Sequence, residues 1–409
     1  MKILAEAMIL AGEEMETIKR GYIAIEDGRI VRVGSGSPSV SGVTVSNLRG
    51  CLVVPGLINA HTHVGDSVAK DVAPTRGLRE LVQPPLGLKH KILRETPPER
   101  LVSAMRDTIR DMLRCGVTTF ADFREGGLEG VRLLKAAAEG LGIRVLTLGR
   151  PNFQFSETAL QAGKERLPTE MMEEVEGILN YAEGLGLSSP NEFTDHALQE
   201  IAEHFKGRVI IATHVAEHQM TIDTSIRRSG LSDVERALRY LKADFLVHLT
   251  KAGGGDLRRV REAGVPVVCC PRANAALGLG FPPIGRLLEL GVTVALGSDN
   301  VMVNSPDLFR EMEFTTRLIR AEAESLDAFT PRESFKMVTI NAARLLGLGD
   351  RIGSIEEGKF ADLVIIDADA PNLRPLCEPL SALVNRVRPD NVKAVLVGGE
   401  VVYGRLRGY

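Results

Sequence analysis

The chain has 409 residues, of which 44% are hydrophobic and 25% charged, ordinary proportions for a globular protein with a large core. Lys and Arg number 50 against 53 Asp and Glu, a formal charge of −3, so no basic excess points to nucleic acid or an anionic membrane. Trp is absent and aromatics make up 4%, a poor composition for stacking single strands.

The opening stretch, MKILAEAMILAGEE, is apolar for only a few residues. That is too short for a signal peptide or a membrane anchor, and no later run reaches the ~20 apolar residues of a spanning helix. Residues 21–34 form two short apolar runs around Asp27-Gly28, a hairpin signal. The chain then alternates. Apolar runs at 52–58, 117–121, 143–148, 185–188, 209–212, 245–247, 265–269 and 292–296 are separated by amphipathic stretches. The helical patterns fall at 99–114, 127–140, 170–184, 194–206, 254–263, 283–290 and 306–322, with a further one at 331–346. Near-continuous apolar strands alternating with helices mean parallel strands buried on both faces. Eight such repeats predict an α/β chain with a closed (β/α)₈ TIM barrel. The end returns to antiparallel β, with an apolar run at 359–367 and a hairpin around Gly398-Gly399. The segment 64–96 shows no clear period and reads as a long loop on the face where barrel chemistry occurs.

The cysteines are Cys51, Cys115, Cys269, Cys270 and Cys377, an odd number with no CxxC. Reduced thiols in a cytoplasmic protein are the simplest reading. A homo-oligomer is compatible with the composition.

The polar residues are placed by the strands. His61 and His63 follow the first run, His214 and His248 end the fifth and sixth, and Asp299 ends the eighth. In a parallel barrel these C-terminal ends converge at one mouth. His61 and His63, at i and i+2, point to the same side. With His214 and Asp299 they make a donor set for one divalent metal ion, Zn²⁺ or Fe²⁺. Glu217, three residues beyond His214, is either a proton shuttle beside that ion or a solvated loop acid. His196 and His204 read as surface or packing residues, His218 as a neighbour of the site, and His90 as a solvated loop residue. Substrate contacts are sought in Arg76, Arg79, Gln83 and His90, in Arg124 and Glu125, in Pro151, Asn152 and Gln154, and in Arg272 and Asn274. Arg124 either binds an anionic group or pairs with Asp122 or Glu125.

These residues sit in PGLINAHTH (55–63), GVTTFAD (116–122), HVAE (214–217), CPRANAALGLGFPPI (270–284), LGSDN (296–300), NSPDLFREM (304–312) and NAARLLGLGDRIGSIEEGKFADLVIID (341–367). In these the chain resembles the metal-dependent amidohydrolase superfamily. The nearest branch holds the cytosine, guanine, S-adenosylhomocysteine and methylthioadenosine deaminases and the triazine hydrolases. The resemblance implies a distorted barrel over 55–346 and a small β-sandwich built from 1–54 and 347–409. It implies that His61, His63, His214 and Asp299 hold the metal and that Glu217 shuttles protons. It implies that His248 polarises the attacked group or orients the water. Dinuclear relatives bridge two metals with a carboxylated lysine from the fourth strand. No lysine lies between Lys164 and Lys206 here, which favours one ion. The implied activity is hydrolytic deamination of an aminated purine, pyrimidine, pterin or related ring. The alternatives are a cyclic amide hydrolase of the imidazolonepropionase type and a catalytically silent scaffold.

Overall fold

In the computed structural model, which describes residues 1–38, 43–73, 75–82, 86–406 and 409 (the side chain at 79 excepted), both ends of the chain enter one sheet. The N-terminal part gives β1 (Lys2–Ala11), β2 (Glu16–Glu26), β3 (Arg29–Ser35), β4 (Thr44–Asn47) and β5 (Cys51–Pro55). The opening stretch is thus a strand that the sequence reading left unassigned. The β2–β3 hairpin turns at Asp27 and Gly28, whose φ values of 48° and 77° suit a type I′ turn.

The first apolar run, expected as one strand, is two. At Gly56 the backbone changes partners: Gly56 N–H donates to Asp362 O and Leu57 N–H to Gly116 O. After this point the chain leaves the terminal sheet and starts the barrel. The barrel strands are β6 (Leu57–His63), β7 (Val117–Arg124), β8 (Arg144–Gly149), β9 (Gly184–Leu187), β10 (Ile210–Val215), β11 (Phe245–His248), β12 (Val267–Cys269), β13 (Val294–Leu296) and β14 (Asp299–Asn300). They pair in parallel in sequence order, and β6 and β7 are buried at every position, as strands covered on both faces must be.

The eighth strand is interrupted. β13 pairs with β12, whereas β14 pairs with β6, placing Asp299 opposite Thr62 and Asn300 opposite His63. The seam is held by a side chain. Asn59 Nδ2 donates to Ser298 Oγ at 2.7 Å, and Ser298 N–H donates to Asn59 Oδ1 at 3.0 Å. Gly297 lies so close to the first strand that a Cβ there would sit 2.7 Å from His61 Cβ, so any larger residue would push that histidine aside.

The segment after β6 is not an unstructured loop. It contains a 3₁₀ turn at Val64–Ala69 and helices at Leu78–Leu81 and Leu88–Glu95. Ala69 and Leu81 bury themselves against Leu277, Leu279 and Met302, which come from the loops after β12 and β14. The expected helix at 331–346 is also two helices, Pro331–Met337 and Ile340–Leu345. The break falls where Val338 O accepts from Ile58 N–H, so a barrel strand captures a carbonyl that a continuous helix would need. The chain closes with β15 (Leu363–Asp367), β16 (Val392–Val397) and β17 (Glu400–Gly404). β15 pairs antiparallel with β5, and this joins the two ends. Among the described residues no helix is long and apolar enough to cross a membrane.

Candidate active site

His61 and His63 leave β6, His214 lies in β10, His248 ends β11 and Asp299 begins β14. Donor atoms of His61, His63 and His214 lie within 4.8 Å of one another, as do those of His61, His248 and Asp299. His61 Nε2 is 3.3 Å from Asp299 Oδ1, and His63 Nε2 is 3.6 Å from the same oxygen. His63 Nε2 and His214 Nε2 face each other at 3.3 Å. Backbone strain gathers here: His248 and Asp299 have φ of 80° and 62°, the left-handed region that non-glycine residues seldom enter.

Burial disfavours charge on His61 and His214. Burial lowers His61 to about 3, and burial with neighbouring imidazoles holds His214 well below its usual value. Burial opposes the charge of Asp299, but the His61 ring edge 3.3 Å away, with His248 and His63 nearby, outweighs it and holds the carboxyl low.

The backs of two rings fix their tautomers. His63 Nδ1 donates to Phe123 O at 3.0 Å and lies 2.9 Å from Glu125 Oε1. His214 Nδ1 donates to Leu187 O at 2.9 Å. In each case the Nε2 lone pair is left pointing inward, the form a metal ligand takes. His61 has both ring nitrogens buried without a hydrogen-bond partner, and so is Asp299 Oδ2. Orphaned buried polar atoms are rare, and here they converge. This donor set fits one divalent cation.

Glu217 Oε1 stands 3.7 Å from His248 Nε2. Burial pushes its carboxyl above the usual range, with His248 opposing, the direction that suits a group that passes protons. The turn that carries it is pinned by Asp233, whose Oδ2 accepts from Ala216 N–H at 2.8 Å. His218 only caps the next helix, through Met220 N–H. Cys269 and Cys270 are buried and free, and burial raises both thiols, so they are inert.

The residues expected as substrate contacts have different surroundings. His90 is buried rather than solvated, with Nε2 donating to Val82 O at 3.0 Å. Arg124 is a pairing residue: Nη2 meets Glu125 Oε2 at 2.9 Å and Nη1 lies 3.8 Å from Asp122. Arg76, Asn152 and Gln154 are exposed, and Pro151 is buried. Asn274 is fully buried behind His248. Gln83 and the Arg79 side chain lie outside the described residues.

Arg272 is tied to Glu311 at 3.2 Å. Burial pushes the Glu311 carboxyl up to about 7, with Arg272 opposing. The native state therefore binds a proton here that the unfolded chain releases near 4.5. Stability is fully present below about pH 4.5 and falls as pH rises toward 7, by about 3 kcal/mol for this group at ~1.4 kcal/mol per unit. Urea unfolding of Glu311→Gln should show a flatter dependence between pH 5 and 8 than the parent; parallel curves would refute the assignment.

The site also contains residues that the sequence reading passed over. Lys89 is fully buried. Its Nζ donates to Asn300 Oδ1 at 2.9 Å, lies 3.2 Å from Asp66 Oδ2 and pairs with Glu125. Nothing local announces this, because its partners come from three other segments. Arg150 immediately follows β8, and its guanidinium donates to Ser188 Oγ, just beyond β9. The strand-end rule that found the histidines would have found it too.

A parallel barrel that gathers such groups at its mouth is the body of a hydrolytic enzyme. Residues 52–402 match the model of the amidohydrolase family, and the chain belongs to that family. It is 40% identical to a putative aminohydrolase of Methanothermobacter thermautotrophicus, over 98% of this chain and 99% of the relative. It is 30% identical to the 5-methylthioadenosine/S-adenosylhomocysteine deaminase of Syntrophobacter fumaroxidans, over 93% of this chain and 88% of that one. Its fold matches a zinc-bound adenosine deaminase of Xanthomonas campestris with a TM-score of 0.85 and 24% identity, covering 98% of this chain and 92% of that one.

Proposed function

We propose that the protein is a metal-dependent deaminase that replaces a ring amino group of a small heterocycle by oxygen and releases ammonia. The reading rests chiefly on Glu217, a carboxyl raised by burial and set 3.7 Å from His248 beside a convergent histidine and aspartate cluster. His61, His63, His214 and Asp299 would hold one ion, Zn²⁺ or Fe²⁺. When bound, the ion makes water nucleophilic at neutral pH. Asp299 takes a proton from the attacking water. Glu217 gives its proton to the ring nitrogen next to the attacked carbon, carries the proton taken by Asp299 to the departing amine, and regains the adduct's hydroxyl proton as the carbon–nitrogen bond breaks. His248 donates to the charge that develops on the adduct. The deaminase names of relatives aligned along the whole chain support the reaction class.

The test is ammonia release from zinc-loaded and iron-loaded protein across aminated purines, methylthioadenosine-type nucleosides, pyrimidines and pterins. Turnover of at least one ring is expected. Chelation should remove it and re-addition of metal restore it. Opening of cyclic amides without ammonia from any ring would replace this reading by the lactam hydrolase.

A further inference from the structure

The imidazoles of the site differ in what stands behind them. His63 and His214 are backed by backbone carbonyls, at 3.0 and 2.9 Å from Nδ1. His248 is backed by a side-chain amide: Asn274 Nδ2 lies 3.3 Å from His248 Nδ1. A carbonyl can only accept, so it calls for Nδ1–H and leaves Nε2 as a lone pair. An amide NH₂ can only donate, so it calls for a bare Nδ1 and leaves the proton on Nε2.

Two further observations point the same way. Thr250 Oγ1 donates to Asn274 Oδ1 at 3.1 Å, which turns the amide nitrogen toward the ring. On the other side, His248 Nε2 faces Glu217 Oε1 at 3.7 Å, and its ligand atom lies within 4.8 Å of those of Asp299 and His61. A ring edge turned toward carboxylates is favoured as a donor. The whole relay is enclosed: Asn274 is 0% exposed, His248 1% and Thr250 8%, so water does not compete for these bonds.

We infer that Asn274, oriented by Thr250, is a positioning residue that holds His248 in its Nε2–H tautomer, so that this histidine donates to the reacting group while His63 and His214 present lone pairs. Asn274 touches neither substrate nor metal and acts through His248. The inference rests on the proposed role of His248 as the donor at the reacting atom. It also explains why three histidines at equivalent strand ends divide into different chemical roles: the strand end places the ring, and the residue behind it selects the nitrogen that carries the proton.

The test reads the tautomer directly. Zinc-loaded protein carrying ¹⁵N-histidine is studied by long-range proton–nitrogen NMR, with His248 assigned by the signal lost in His248→Asn. The parent should show Nε2–H at His248. Asn274→Ala should shift His248 toward Nδ1–H and lower kcat ~10- to 100-fold, the range for losing a partner that orients an active-site histidine, with KM and zinc content unchanged. Thr250→Val should move both readouts the same way by less, and Thr250→Ser should restore them. An Nδ1–H form in the parent overturns the inference. So does an Asn274→Ala protein that is merely less heat-stable, with tautomer and kcat unmoved. Absence of turnover on every ring, with the tautomer pattern as described, overturns the deaminase reading and supports the assignment of Asn274.

Discussion

An Asp299→Asn protein is expected to lose about 10³-fold or more in kcat/KM, about 4 kcal/mol of transition-state stabilisation. The substitution isolates the charge. Asn tolerates the left-handed backbone that this position requires, with φ of 62°. Its side-chain oxygen can still accept from Asn300 Nδ2, which donates to Asp299 Oδ1 at 2.8 Å. The fold and the seam between β14 and β6 should therefore survive. What disappears is the carboxylate charge, and with it the base that the proposed reaction assigns to the attacking water. Zinc affinity, measured by chelator competition, should fall in parallel because one anionic donor is gone. Activity within tenfold of the parent, at equal metal content, would sink the role given to Asp299.

Lys89→Met is expected to destabilise the fold by about 3–5 kcal/mol, the cost of breaking a buried ion pair from one side. The reason lies in the balance of charge around it. Burial works against the ammonium, but Glu125 and Asp66 raise its pKa all the same. Burial equally opposes Glu125, which Lys89, His63 and Arg124 hold well below its usual range. Removing the ammonium leaves Glu125 and Asp66 buried without their shared counter-charge, with Arg124 still paired to Glu125. Against a typical total of about 5–15 kcal/mol this is a large loss. Adding Glu125→Gln to Lys89→Met should recover part of it, since the two changes share one network. Urea unfolding of the single and double variants measures both effects; a loss under about 1 kcal/mol for Lys89→Met would contradict the network as drawn. The same change should weaken metal binding, because Glu125 also stands 2.9 Å behind His63 Nδ1.

The parts of the site that could be read from sequence share one property. His61, His63, His214, His248 and Asp299 each follow a short apolar run, and a parallel barrel brings such positions together regardless of their separation in the chain. What could not be read was the function of residues whose partners are distant. Lys89 and Asn300 are 211 positions apart and meet through one hydrogen bond. Arg124 looked equally suited to an anionic ligand or to a neighbouring carboxylate, and only the packing shows that Glu125 and Asp122 already occupy it. Asn274 looked like a pocket residue because it follows the seventh strand; it is instead enclosed behind a histidine.

By itself the sequence determined the alternation of buried strands and amphipathic helices, the two end hairpins, and the set of strand ends whose histidines and aspartate converge. These follow from local periodicity and turn residues, whose energetics are settled within a few positions along the chain. Only the tertiary structure decided that the eighth strand closes the ring in two pieces, that the segment after β6 folds into helices, and which groups stand behind His63, His214 and His248. Those outcomes depend on which groups from remote segments satisfy one another once water is excluded. A buried hydrogen bond or ion pair is decided by its partner and not by its neighbours in sequence.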